Sequence, residues 1–243
     1  GMDDARTLRI AKAVLLACEH GRLVVLRELL RWSSVEGVAS DAQSEKQRLS
    51  PLHTAAANGH VDVVKYLLAH GAKLQVNNAA RVSPAHLAAG VSVDVLQLLM
   101  RHGTSVKIRD IRKQTLLMSA ARGGNVACLA CLLGEYGAEP NDIDRWSRTA
   151  LHWAVMNGHE DAARYLLEHG ADPNPTRNVR QHRLKTSLPL ETPLHIAARV
   201  HGVESPIYRV LLSYGADPTA PDQYGRLPGQ LGLPQTDGGE AAP

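Results

Sequence analysis

The 243-residue chain has 27 Lys and Arg against 24 Asp and Glu, a formal net charge of +3, too balanced to point to bulk nucleic-acid or membrane binding. Aromatic residues are only 4% with no Phe, so the core must come from small and aliphatic side chains, as thin stacked layers require. Three cysteines, no apolar run of 18 residues and no signal-like segment argue against a disulfide framework and a spanning helix, and lead to the expectation of an intracellular protein, cytoplasmic or nuclear.

In chain order, residues 8–32 read as a degenerate opening helix pair, with Ala17, Gly21 and Leu29-Leu30 in register with the later units. A polar stretch, Ser33 to Gln47, comes next. The string Ser50-Pro51-Leu52-His53-Thr54-Ala55-Ala56 then opens a unit that returns from Ser83, Thr115, Thr149 and Thr192, in steps of 33, 32, 34 and 43. Such a period marks a stack of two-helix repeats. In the first full unit Ser50 is a good N-cap and Pro51 suits the first helical position, where its missing N–H loses no bond. Leu52, Ala55 and Ala56 form the buried stripe of a short helix ending near Asn58-Gly59. Val61, Val63, Val64, Leu67 and Leu68 make the apolar face of a second helix, closed by Gly71. Helices this short are unstable alone and must be held by their neighbours.

The repeated His53, His86, His152 and His195 fall in the capped first turn, where imidazole can bond the cap hydroxyl or nearby backbone. Successive layers hold them about 10 Å apart, too far to share a metal ion. We therefore expect structural histidines and no metal. A last partial unit starts at Asp222, with Gly229-Gln230-Leu231-Gly232 in place of a first helix, and the Gly- and Pro-rich tail 233–243 is expected to be disordered.

The Ser/Thr-Pro-Leu-His-x-Ala-Ala signature, the Gly59-His60 turn, and the ends Gly170-Ala171-Asp172 and Gly215-Ala216-Asp217 resemble the ankyrin repeat over residues 8–232. The resemblance implies an all-α solenoid of stacked helix-turn-helix units. It also implies β-hairpin or loop fingers projecting at right angles, which with the first helices line a concave groove. A non-enzymatic protein-interaction scaffold or adaptor is the implied activity, without cofactor. Similar arrays also serve as substrate receptors of ubiquitin ligases, an alternative that would need a ligase-recruiting box absent after Gly232.

Departures from the pattern carry the individuality. The third unit has Gly90-Val91-Ser92 at its inter-helix turn and is one residue short, and the fourth replaces Pro and His by Leu116 and Met118, weakening its cap. Pro175 to Leu190 is a long insertion bearing Arg177, Arg180, Arg183 and Lys185 with no acidic residue, a solvated loop or a docking element. The resemblance places recognition on the finger tips and the exposed face of the first helices, here Arg112, Gln114, Arg145, Trp146, Arg148, Asn157, Tyr224 and Arg226, with Arg122 and Arg199 nearby. Trp and Arg are the types most enriched at binding hot spots, so Trp146 leads the set. Its other reading is a ring lying flat under Arg112 or Arg177. Trp153 is expected to pack between layers. The basic character suggests an acidic segment of another protein as partner, bound by a monomer. Nucleic acid or an anionic surface bound through the basic loop is the weaker alternative, and a membrane is not expected.

Cys128 and Cys131 form a C-x-x-C spacing without a second pair of thiols, and no nucleophile elbow, phosphate loop or His-Glu-x-x-His occurs, so no catalytic residues are assigned. The resemblance also brings a modification: an asparaginyl hydroxylase acts on such arrays, and Leu133, Glu139 and Asn141, like Leu166, Asp172 and Asn174, match its preferred spacing. Both segments equally fit an ordinary finger.

Overall fold

The computed structural model describes residues 2–31, 49–74, 80–175 and 191–231. Helices α1 (Met2–Glu19) and α2 (Leu23–Leu30) form the opening pair. Five pairs follow: α3 (Pro51–Ala57) with α4 (Val61–Ala69), α5 (Pro84–Ala89) with α6 (Val93–Arg101), α7 (Leu116–Arg122) with α8 (Val126–Ala130), α9 (Ala150–Met156) with α10 (Glu160–Glu168), and α11 (Pro193–His201) with α12 (Pro206–Ser213). A single turn, α13 (Pro228–Leu231), closes the described array. The first helices stack on one another from α1 through α13, and the second helices from α2 through α12, giving two helical layers with one continuous core.

One pair could not stand alone. Helix α4 fully buries Val63, Val64 and Leu67, each contributing about 1.5–3 kcal/mol. Ordering each of its residues costs about 1–2 kcal/mol in backbone entropy alone, so the neighbouring layers must supply the rest.

The capped histidines do more than close their own turns. Backbone N–H of Ser50 donates to His53 Nδ1 at 3.2 Å, which leaves Nε2–H to donate to Val82 O of the next finger at 2.9 Å. His86 reaches Gln114 O at 3.2 Å, His152 reaches Glu191 O at 3.2 Å, and His195 reaches Arg226 O at 3.1 Å. From α3 onward these rings form a ladder that ties each layer to the next, with one rung missing: Met118 stands where a histidine would bond Arg148 O. Its helix keeps only the simple cap, Met118 N–H to Thr115 Oγ1 at 3.2 Å. A second set, His60 to Glu19 O, His159 to Arg122 O and His201 to Val155 O at 2.7–3.1 Å, links the inter-helix turns.

The fingers are turns; no strand occurs among the described residues, so the hairpin form of the finger is not adopted there. They are joined by backbone bonds, Ile111 N–H to Ala80 O at 3.0 Å and Arg145 N–H to Arg112 O at 2.9 Å. Both length irregularities are absorbed locally. The short third unit trims α5 by one residue relative to α3 and restarts at Ser92, whose hydroxyl accepts from Val95 N–H at 3.4 Å. There the turns of neighbouring layers touch: a Cβ on Gly123 would lie 2.4 Å from Gly90 O, so no other residue fits. The fourth unit is one residue longer, and the chain takes it up as a π-helical turn, Cys131–Glu135, at the end of α8. Among the described residues no helix is long and apolar enough to cross a membrane.

Candidate functional site

The finger between α8 and α9 is built on Asp144, whose side chain stabilises the turn from inside. Asp144 Oδ1 accepts from the N–H of Trp146 at 2.8 Å and of Arg148 at 3.0 Å. Asp110 and Asp222 perform the same task in their own fingers, accepting from Arg112 and Gln114, and from Tyr224 and Arg226. Ser147 takes a left-handed φ of 62° at the tip, turning the chain back toward α9.

This finger presents Trp146, half-buried, with three guanidinium groups around it: those of Arg112, Arg145 and Arg148 each lie 5.7 Å from the ring centroid. Arg148 is also 5.5 Å from the Trp153 ring on α9, and Arg122 at the end of α7 is 6.0 Å from it. The cluster thus joins two fingers and two first helices. None of the four arginines forms an ion pair among the described residues.

The fingers of Asp144 and Asp222 differ in what the arginine four residues on does. Arg226 turns back onto its aspartate, Nε to Oδ2 at 2.8 Å with a second contact at 2.7 Å. Burial pushes the Asp222 carboxyl up, but Arg226 and the two backbone N–H groups outweigh it and leave the pKa below its ordinary value. Arg148 instead lies between two indoles, and Asp144 Oδ2 is buried without a hydrogen bond. The pKa of Asp144 is raised, by burial first, against the opposing pull of the Arg148 and Trp146 N–H groups, the Arg148 charge and the nearby Trp153 indole N–H. That indole N–H is itself buried and falls short of hydrogen-bond geometry.

Of the residues expected at the site, Arg112, Arg145, Trp146 and Arg148 come together. Asn157 lies exposed at the end of α9, its Nδ2 donating to Trp153 O at 2.8 Å, beside the cluster. Tyr224 and Arg226 form a separate pair in the last finger, 4.9 Å from guanidinium to ring centroid, with Arg226 committed to Asp222. Gln114, expected among the recognition positions, is instead 4% exposed: its N–H bonds buried Asp110, its carbonyl faces His86 one layer back, and its Nε2 is buried without a hydrogen bond among the described residues. Trp153, expected between layers, is half-buried and packs on the core while sharing its ring with Arg122 and Arg148. The basic loop, Arg177, Arg180, Arg183 and Lys185, lies outside the described residues, as does the tail from residue 233.

Asn141 and Asn174 are bridges between layers. Asn141 Nδ2 donates to Gly170 O at 3.0 Å and its Oδ1 accepts from Asp172 N–H at 2.8 Å; Asn174 repeats this with Gly215 O and Asp217 N–H at 2.7 and 2.8 Å. The cysteine pair has the character of core: Cys128 and Cys131 are buried, and burial raises both thiols, Cys128 to about 12, which disfavours the thiolate that redox or zinc chemistry needs.

The family description "Ankyrin repeats (3 copies)" matches residues 8–78 and 85–177, and "Ankyrin repeat" matches 190–223. The chain is 32% identical over 234 residues to the mouse protein fem-1 homolog A-like, covering 89% of this chain and 33% of the relative. It is 27% identical over 194 residues to the palmitoyltransferase AKR1 of Lachancea kluyveri, covering 65% of this chain and 26% of that protein. The ankyrin repeat protein nuc-2 of Neurospora crassa is 38% identical over 119 residues, 48% of this chain and 11% of that one. The chain therefore spans a third or less of each of these relatives. The crystal structure of the human ASB11 ankyrin repeat domain superposes with a TM-score of 0.74 at 24% identity, covering 92% of this chain and 93% of that one, a likeness of fold alone. Signature, histidine ladder and family match agree: the chain belongs to the ankyrin-repeat family.

Proposed function

We propose that this chain is a non-enzymatic protein-interaction module that holds an acidic segment of a partner against Arg112, Arg122, Arg145 and Arg148, with Trp146 as apolar anchor. The observation that carries the reading is the diversion of Arg148. In the last finger the equivalent arginine neutralises its own aspartate, while here it lies between Trp146 and Trp153 and adds its charge to three other guanidiniums without an ion pair among the described residues. Like charges gathered around one ring repel each other in the free protein. A carboxylate-bearing segment would remove that repulsion and accept the forked N–H groups bidentately. The indole face adds apolar area that excludes water around the ion pairs, as at binding hot spots.

The test is capture from lysate with the parent chain and with Trp146→Ala, Arg145→Ala and Arg148→Ala variants, followed by measured affinity of the retained protein. Partners should bind the parent at least about tenfold more tightly than each variant. Their binding should also weaken as salt is raised from about 0.05 to 0.3 M. Retention of the same proteins by parent and variants would exclude the cluster as the docking point. Co-capture of ligase subunits with the partner would specify the substrate-receptor form of this role.

A further inference from the structure

One finger closer to the start of the chain lies a second cationic region, this one concave. A cavity of about 430 Å³ opens between the finger that leads into α5 and the finger that leads into α7. Arg81, Lys107, Arg109 and Lys113 all line it, against one carboxylate, Asp110. That carboxylate is already engaged, Oδ1 accepting from Arg112 and Gln114 N–H at 2.8 and 2.7 Å. Arg109 is fixed in place by Asp142 at 2.7 Å and by the Ile143 and Lys113 carbonyls. Arg81, Lys107 and Lys113 are exposed and form no ion pair among the described residues.

Two of these cations stand where the backbone would favour another residue. Arg81 has φ 55° and Lys113 φ 61°, at the finger-tip position that the last finger fills with Gly225 at φ 77°. Glycine adopts this conformation without strain, so a long cationic side chain there keeps a conformational penalty. Ser147 takes the same conformation at the next tip, so the turn itself sets it, and at Arg81 and Lys113 it places a cation on each of the two tips that border the cavity.

The volume is that of a small-molecule site, but it is poor in apolar anchors, Leu74 and Ile108 providing most of them. The ligand must then be held chiefly by charge. A single carboxylate would leave most of the positive charge unmatched. Lysine ammonium groups, which act as point charges, suit several separate phosphoryl oxygens better than a planar carboxylate.

We propose that this cavity binds a small molecule carrying two or more phosphoryl groups, held by Arg81, Lys107 and Lys113 with Arg109 as a fixed partner. The site is separate from the Trp146 cluster. The test uses inorganic tripolyphosphate as probe, by thermal unfolding and calorimetric titration in about 0.15 M salt, with sulfate at matched ionic strength as control. Tripolyphosphate should raise Tm by about 2 °C or more, and sulfate should not. Lys113→Gly removes a cation and relieves the left-handed strain, so the free variant should melt higher than the parent while its response to tripolyphosphate disappears. A damaged fold cannot produce both changes. Lys107→Gln should weaken binding tenfold or more, and Arg145→Ala, outside the cavity, should leave it intact. No shift in the parent, an equal shift with sulfate, or an undiminished shift in both Lys113→Gly and Lys107→Gln would overturn the proposal.

Discussion

A single arginine position shows how one residue can serve the fold or a partner, but not both. At Asp222 the carboxylate is closed by Arg226 through its side chain and its backbone; at Asp144 only the backbone part of that arrangement exists. The carboxylates therefore differ in what they contribute. Replacing Asp222 by Asn removes charge-assisted bonds from a buried oxygen and should cost about 1–2 kcal/mol. Asp144→Asn keeps the Oδ1 acceptor and removes a desolvated charge whose other oxygen has no partner, so it should cost less than half as much. Urea unfolding of the two variants at pH 7.5 makes the comparison, and equal losses would show that Arg148 supports Asp144 as strongly as Arg226 supports Asp222.

The first helices share one design, and α7 departs from it. Ser50, Ser83, Thr149 and Thr192 all pair with a histidine three residues on, whose far nitrogen bonds the next layer, while Thr115 faces Met118. Met118→His should restore both bonds, to Thr115 and to Arg148 O, raising stability by about 1 kcal/mol after loss of the thioether packing. A destabilised variant would mean that the π-turned fourth unit no longer presents its cap in the common geometry. The caps, the helix pairs and the layer order were legible in the sequence because Ser/Thr, Pro, His and Gly recur at positions where each has one conformational job. The π turn was not, since one extra residue between Val126 and Gly137 could equally have lengthened the loop. The site was legible in part. Arg112, Arg145, Trp146 and Arg148 follow from finger position alone, but inward and outward alternate along a turn without a hydrophobic signal, so Gln114 was misplaced. Arg226 and Arg148 occupy equivalent positions, and only the structure separates a committed guanidinium from an uncommitted one.

Along the whole molecule the ladder makes stability depend on neutral histidine. Burial lowers the pKa of His53, His86 and His152, the last to about 4, against the partial compensation of a carbonyl accepting from Nε2. In the unfolded chain each titrates near its ordinary value of about 6.5. Between those limits the unfolded state binds more protons than the folded one, so stability is complete above about pH 7 and is lost as pH falls, by at most about 1.4 kcal/mol per pH unit for each histidine. For His152 the loss should level off near pH 4, where its folded form also protonates. The protonated ring could no longer accept from the cap N–H at Nδ1, so acid opens the first turn, while Nε2–H still donates to the next layer. The expected urea midpoint is flat from pH 8 to 7 and declines below about 6.5. Met118→His adds a further capped imidazole and should make that decline steeper while raising the midpoint at pH 7.5. A midpoint unchanged from pH 7.5 to 5 in the parent chain would show that folded and unfolded chains bind protons equally, and that the caps do not depend on neutral histidine.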